Sequence, residues 1–252
     1  MQGDHILVTE GLSKSFGGFN AVTDVNLNIT RGSIHALIGP NGAGKTTCFN
    51  LLTKFHIPTA GRITFDGQDI TRTPSADIAQ LGLVRSFQIS AVFPHLTVLE
   101  NVRLALQRKR GSSFDFWRSE SVLRAYDARA MELLEQVGLA GAARRTAVEL
   151  SYGRKRALEL ATTIALDPQM LLLDEPMAGM GHEEIDRVTA LIRDAAQGRT
   201  VLMVEHNLSV VANICDRITV LARGQVLAEG NYAEISADPK VIEAYIGEAA
   251  HA

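Results

Sequence analysis

The hydrophobic positions change their period along the chain. Residues 6–9 (ILVT) read as a strand, as do 22–29, where Val25, Leu27 and Ile29 alternate with polar neighbours, and 34–38 (IHALI). From about Lys45 the period lengthens. Phe49, Leu52 and Phe55 then fall on one side of a helix that Pro58 is expected to end. Residues 61–66 (GRITFD) predict another strand, closed by a turn at Asp66 and Gly67.

Between about residues 95 and 165 the strand signals vanish. Val122, Tyr126, Leu133, Leu134 and Val137 keep helical spacings, and so do Leu158, Ala161 and Ala165, which marks a helical insert. After Pro168 the strands return at 170–174 and 201–204 and in a hairpin reading ITVLA-RG-QVLAEG. A helix at about 183–196 lies between the first two, as a βαβ crossover requires, and another is expected at 239–247. The pattern therefore predicts an α/β core with a β-rich N-terminal edge and an inserted helical subdomain.

Composition adds bounds. The 252 residues, 46% hydrophobic and 21% charged, suffice for one large domain. A net charge of −3 gives no global attraction to nucleic acid or anionic lipid. Two cysteines, Cys48 and Cys215, make no disulfide framework and suit a reducing compartment. The first residues, MQGDHILVTEG, lack a signal-peptide pattern, and no run approaches 18 apolar residues. These features predict a soluble, intracellular, globular chain.

Chemistry enters at residues 39–46, Gly-Pro-Asn-Gly-Ala-Gly-Lys-Thr, which match G-x-x-x-x-G-K-[ST] without a gap. The match falls after one strand and before a helix. Gly42 and Gly44 would let backbone N–H groups converge on phosphate oxygens, and the helix N-terminus adds its positive dipole end. Gly39, Asn41, Gly42, Ala43, Gly44, Lys45, Thr46 and Thr47 are thus the candidate ATP-binding loop. Lys45 would reach the β- and γ-phosphates, and the Thr46 hydroxyl would bind Mg²⁺. The run 170–174 (MLLLD) is an apolar strand ending in Asp174, with Glu175 directly after it. Alone, that is equally a strand reaching solvent. Beside a phosphate loop, Asp174 is a metal-holding candidate and Glu175 a general base or an orienter of the attacking water.

With these residues the chain resembles the nucleotide-binding subunits of ATP-binding cassette (ABC) transporters along almost its full length. Four further motifs follow the family's order. Gln88, in Arg-Ser-Phe-Gln, resembles the Q-loop glutamine, which implies a part in binding Mg²⁺ beside Thr46 and Asp174. Residues 150–154, Leu-Ser-Tyr-Gly-Arg, resemble the signature LSGGQ, with Tyr152 for the first paired glycine and Arg154 for Gln. Ser151, Tyr152 and Gly153 would then grip ATP bound to the other subunit, with Ser151 also capping the helix that follows. His206, after strand 201–204, resembles the switch histidine at the γ-phosphate, and Phe16 the aromatic residue that stacks on adenine, with Phe19 a nearby competitor. The implied fold is a P-loop NTPase with a RecA-like core at about 1–90 and 166–252 and a helical subdomain at about 91–165. The implied activity is ATP hydrolysis with Glu175, His206 and Lys45 as the catalytic set.

One departure concerns the segment after Glu175 and Pro176. The family commonly has Ser-Ala-Leu-Asp there, whereas this chain has Met-Ala-Gly-Met-Gly at 177–181, so the aspartate that signals across the dimer is missing. A closer resemblance is to the ATPases of branched-chain amino-acid importers, through the long insert, the Leu-Ser-Tyr-Gly signature, the Ala-Gly after Glu-Pro and the ending Glu-Ala-Tyr-Ile-Gly-Glu at 243–248. It implies a second ABC ATPase subunit in a homodimer or heterodimer and two transmembrane permeases, coupled near residues 88–99. It also implies an indirect link to a periplasmic substrate-binding protein, no nucleic acid, and a place on the cytoplasmic face of the inner membrane. Residues 108–118, basic and aromatic, read as a solvated inter-helix loop before a lipid or permease contact. The alternatives are an export ATPase, a soluble ABC ATPase of DNA repair or translation, and a small-molecule P-loop kinase, which would not need the signature.

Overall fold

The computed structural model describes residues 4–86, 92–109 and 125–249. The chain begins with β1 (His5–Phe16), β2 (Phe19–Val25), β3 (Asn28–Thr30) and β4 (Ile34–Ile38), then α1 (Lys45–Leu52). There follow β5 (Ala60–Phe65), β6 (Gln68–Asp69), α2 (Ser75–Gln80) and β7 (Leu83–Arg85). Among the described residues α3 (Val98–Lys109), α4 (Asp127–Gln136) and α5 (Tyr152–Ile164) come next. The last third alternates β8 (Met170–Asp174), α6 (His182–Ala195), β9 (Thr200–Val204) and α7 (Leu208–Ile214). It closes with the β10 (Arg217–Ala222) and β11 (Gln225–Gly230) hairpin, α8 (Tyr232–Ala237) and α9 (Pro239–Ala249).

The described strands form two sheets. The larger has the order β11-β10-β4-β9-β8-β7, parallel except for the β10–β11 pair. The smaller is antiparallel and built around the long β1, which pairs with β2, β3 and β5. Along β4, β8 and β9 the side chains alternate between two apolar cores. Ala36, Leu171, Leu173, Val201 and Met203 join the core that runs on into α3, α4, α5 and α6. Leu37, Leu172, Leu202 and Val204 face Phe49 and Leu52 of α1 and the inner side of the antiparallel sheet. Covering both faces of the parallel sheet is what makes its strands continuous apolar runs. Among the described residues no helix is long and apolar enough to cross a membrane.

The P-loop α/β fold agrees with the sequence reading, and several boundaries do not. Residues 22–29 are two strands, because the chain leaves one half of β1 at Val25 and joins the other half at Asn28. The buried Thr9 hydroxyl stitches this crossing, donating to the Val25 carbonyl and accepting from Leu27 N–H, both at 2.9 Å. Helix α1 stops at Leu52, well before Pro58. Lys54 takes a left-handed conformation (φ 61°) and its N–H returns to the Leu51 carbonyl, so Phe55 lies outside the helix and 62% exposed. Tyr126 precedes α4 instead of lying within it, and Val122 falls outside the described residues. The Asp66 and Gly67 turn and the Arg223 and Gly224 turn both carry the paired positive φ angles of tight hairpins.

Candidate functional site

The phosphate-loop sequence occupies the crossing from β4 into α1 at the C-terminal end of the parallel strands, where open α/β sheets bind their ligands. Two glycines are dictated by how closely the loop is packed. A Cβ on Gly39 (φ 146°) would stand 2.1 Å from the Leu221 carbonyl oxygen, and one on Gly44 (φ 97°) 2.6 Å from that of Ala21. Gly42 has φ 73° in open space, so there the backbone angle alone demands glycine. The β10–β11 turn wedges against the loop, since Gly224 N–H donates to the Ala43 carbonyl at 3.0 Å and Thr23 N–H to the Gly224 carbonyl at 2.8 Å. The Lys45 ammonium, 6% exposed, donates to the Gly39 (2.6 Å) and Pro40 (2.9 Å) carbonyls of its own loop. Asn41 and Thr46 are exposed, and Ala43 is buried.

Asp174 ends β8 buried, in an ion pair with Arg85 of the neighbouring β7. The same guanidinium donates to Asn50 Oδ1 of α1 at 2.8 Å and lies over the Phe49 and Phe55 rings at 5.8 and 5.5 Å. Arg85 therefore ties the strand-end carboxylate to the phosphate-loop helix, a role nothing in the local sequence announces. The Asp174 carboxylate and the Thr46 hydroxyl are hard oxygen donors, few in number, as Mg²⁺ prefers beside phosphate and water. The donor set fits that cation. Gln88, the third metal candidate, lies outside the described residues.

Glu175 follows in a left-handed conformation (φ 46°), fixed by its N–H donating to the Val204 carbonyl at 3.0 Å. Its Oε1 lies 2.8 Å from His206 Nε2, so the loops after β8 and β9 present a carboxylate–imidazole pair. Such a pair can take or orient a proton of a bound water. Beneath it lies Glu205, 4% exposed, which the sequence reading passed over. Its Oε1 accepts from Met177 N–H at 3.0 Å, and its Oε2 from His206 N–H at 3.0 Å and Asn207 N–H at 3.2 Å. Burial pushes the Glu205 carboxyl above its ordinary pKa, and the three N–H donors and His206 oppose that rise. The signal was available: Glu205 directly follows an apolar strand, the pattern that singled out Asp174.

The remaining candidates stand apart from these loops. Phe16 ends β1 half-exposed, edge-on to His56 with ring centroids 5.2 Å apart and with the Lys14 ammonium 5.0 Å from its ring. Phe19 faces it across the hairpin and is 70% exposed. Ser151 takes the N-cap position of α5, but its side chain makes no capping hydrogen bond, which corrects the expected cap. The Tyr152 hydroxyl accepts from Arg156 Nη2 at 3.0 Å, and Arg156 in turn pairs with Glu159. Gly153 lies under Glu184 of α6, whose Oε1 would be 2.8 Å from an added Cβ. These contacts of 151–153 run to α5 and α6 and leave the exposed Ser151 and Tyr152 facing solvent. The basic–aromatic segment falls largely on residues 110–124, outside the described residues.

Comparison with known proteins supplies an independent view. Residues 22–178 match the family model "ABC transporter", and residues 225–251 match "Branched-chain amino acid ATP-binding cassette transporter". The chain is 41% identical to the high-affinity branched-chain amino acid transport ATP-binding protein BraF of Pseudomonas aeruginosa, over 97% of this chain and 98% of that one. The corresponding protein LivG of Escherichia coli is also 41% identical, with 97% and 98% covered. Among solved structures, the ADP conformation of an ATP-binding cassette of an ABC transporter superposes with a TM-score of 0.83 at 32% identity, covering 97% of this chain and 99% of that one.

Proposed function

The chain belongs to the ABC transporter family, and from that premise we propose that it is the ATP-hydrolysing subunit powering an importer of branched-chain or related amino acids. One observation carries the reading. The phosphate loop, Glu175 and His206 leave the C-terminal ends of β4, β8 and β9, with β9 between the other two, so binding and hydrolytic groups share one edge of one sheet. In this proposal the loop amides of 39–47 and the Lys45 ammonium hold the phosphates while Phe16 stacks on adenine. Glu175 takes or orients the proton of a water that attacks the γ-phosphorus, and the bond to the β-phosphate oxygen breaks to give ADP and phosphate. His206 holds Glu175 Oε1 and faces the γ-phosphate. Mg²⁺, held by Thr46, Asp174 and Gln88, would supply neutralisation of phosphate charge when bound.

Hydrolysis needs a second ATPase subunit, alike or homologous, whose Ser151, Tyr152 and Gly153 positions complete the site across the dimer. The exposure of Ser151 and Tyr152 on this chain supports that arrangement. Residues 91–165 form the helical subdomain in this reading, and the RecA-like core takes about 1–90 and 166–252. Two permease subunits carry the transport path, fed by a periplasmic binding protein, and this subunit sits on the cytoplasmic face of the inner membrane. Glu175→Gln in the purified chain with Mg-ATP is the test. The variant should lose at least a hundredfold in ATP turnover and accumulate as an ATP-dependent dimer, and a strictly monomeric variant would overturn the scheme.

A further inference from the structure

The segment 177–181 carries no acidic side chain, yet it begins two residues after the proposed hydrolytic glutamate, so its link to the site must run through something other than the family's usual aspartate. The structure offers Glu205. This carboxylate is buried and divides its two oxygens between two loops: Oε1 takes the Met177 N–H, at the head of 177–181, and Oε2 takes the N–H groups of His206 and Asn207. Bonds from N–H to an ionised oxygen are about twice as strong as neutral ones. Glu175, two residues before Met177, holds a positive φ without being glycine, a conformation that persists only where its surroundings over-determine it. The bond at Met177 and the Glu175 N–H bond to Val204 flank that residue on both sides. Asn207 continues the connection, because its side chain caps α7 through Ser209 N–H and Val210 N–H.

We propose that Glu205 is a positioning residue that fastens the 175–177 turn to the 205–207 turn, so that a displacement of 177–181 is passed to His206 within the same chain. The role rests on the ATP hydrolysis proposed above. Each carboxylate oxygen serves one loop. Glutamine, with a single acceptor oxygen, can serve only one of them and sets an amide N–H against an N–H at the other.

The test compares the full chain with Glu205→Gln in steady-state ATP turnover and in amide hydrogen exchange. The variant should lose on the order of tenfold in kcat, with the KM for ATP changed less than twofold. The Met177 amide should exchange at least tenfold faster than in the unaltered chain. An unchanged kcat, or a loss seen mainly in KM, would overturn the proposal, as would equal exchange at Met177 in the two proteins. If Glu205→Gln does not fold, Glu205→Asp keeps the charge and shortens the reach to Met177, and the same readouts apply. An unaltered chain without ATP turnover would sink the proposed function instead, and exchange at Met177 would still decide the bridge.

Discussion

The phosphate loop and the paired loops after β8 and β9 meet at one edge of the same sheet, but they are held there by different means. The phosphate loop is fixed by main chain. Leu221 and Ala21 carbonyls press on Gly39 and Gly44, the Arg223 and Gly224 turn locks into Ala43, and Lys45 closes on its own loop's carbonyls. The loops that carry Glu175 and His206 are fixed by buried side chains that reach across the fold. Glu205 joins Met177 to His206 and Asn207, and Arg85 joins Asp174 to Asn50. A main-chain cradle tolerates no added atoms where it is in contact, as at Gly39 and Gly44, whereas a side-chain brace tolerates no lost partner. The two regions should therefore fail under opposite kinds of substitution.

The largest effect is expected on the braced side. Arg85→Met keeps apolar bulk near Phe49 but leaves Asp174 buried without its cation, a change that costs about 3–5 kcal/mol. The midpoint of denaturant unfolding measures it, and a loss under 1 kcal/mol would show that Arg85 is not a brace. On the cradle side the sensitive change is an addition. Gly39→Ala drives a Cβ into a backbone oxygen and should cost about 2–3 kcal/mol, whereas Gly42→Ala, in open space, should cost only about 1 kcal/mol. Equal losses at 39 and 42 would break the argument from close approach. The smallest effect asks whether the cradle is indifferent to charge. His35 lies in β4 under the loop, its Nε2 2.8 Å from the Thr219 hydroxyl, and burial lowers its pKa from 6.5 to about 4. Its neutral form is favoured in the fold, so stability should be full above pH 6.5 and fall as pH drops towards 4. By pH 5.5 the loss is about 1 kcal/mol, and His35→Gln should flatten that part of the curve.

This division also explains what could be read from the amino-acid order. A cradle made of consecutive backbone leaves closely spaced glycines, here at 39, 42 and 44, so residues 39–46 announced themselves with strand, loop and helix in sequence. Strands β4, β8 and β9 were legible because both their faces are covered, which forces unbroken apolar runs. The three-residue β7 was not, since it is too short to show a period. Arg85 escaped notice because its partner Asp174 is 89 residues away, and no local pattern records such a pairing, whereas Glu205 stands after an apolar strand and only its bond to Met177, 28 residues away, was hidden. Phe55 was misplaced because the left-handed turn at Lys54 carries no glycine to mark it.

The insertion of strand β4 between β9 and β10 has a consequence for how the protein is made. The ribosome delivers the nucleotide loop early, yet both flanking strands and the Gly224 turn that clamps it arrive in the last part of the chain. Nascent protein shorter than about 230 residues therefore lacks the surroundings that shape the loop, and in the function proposed above it would not yet hold ATP. A subunit that consumes fuel is thereby kept from touching it until it is whole.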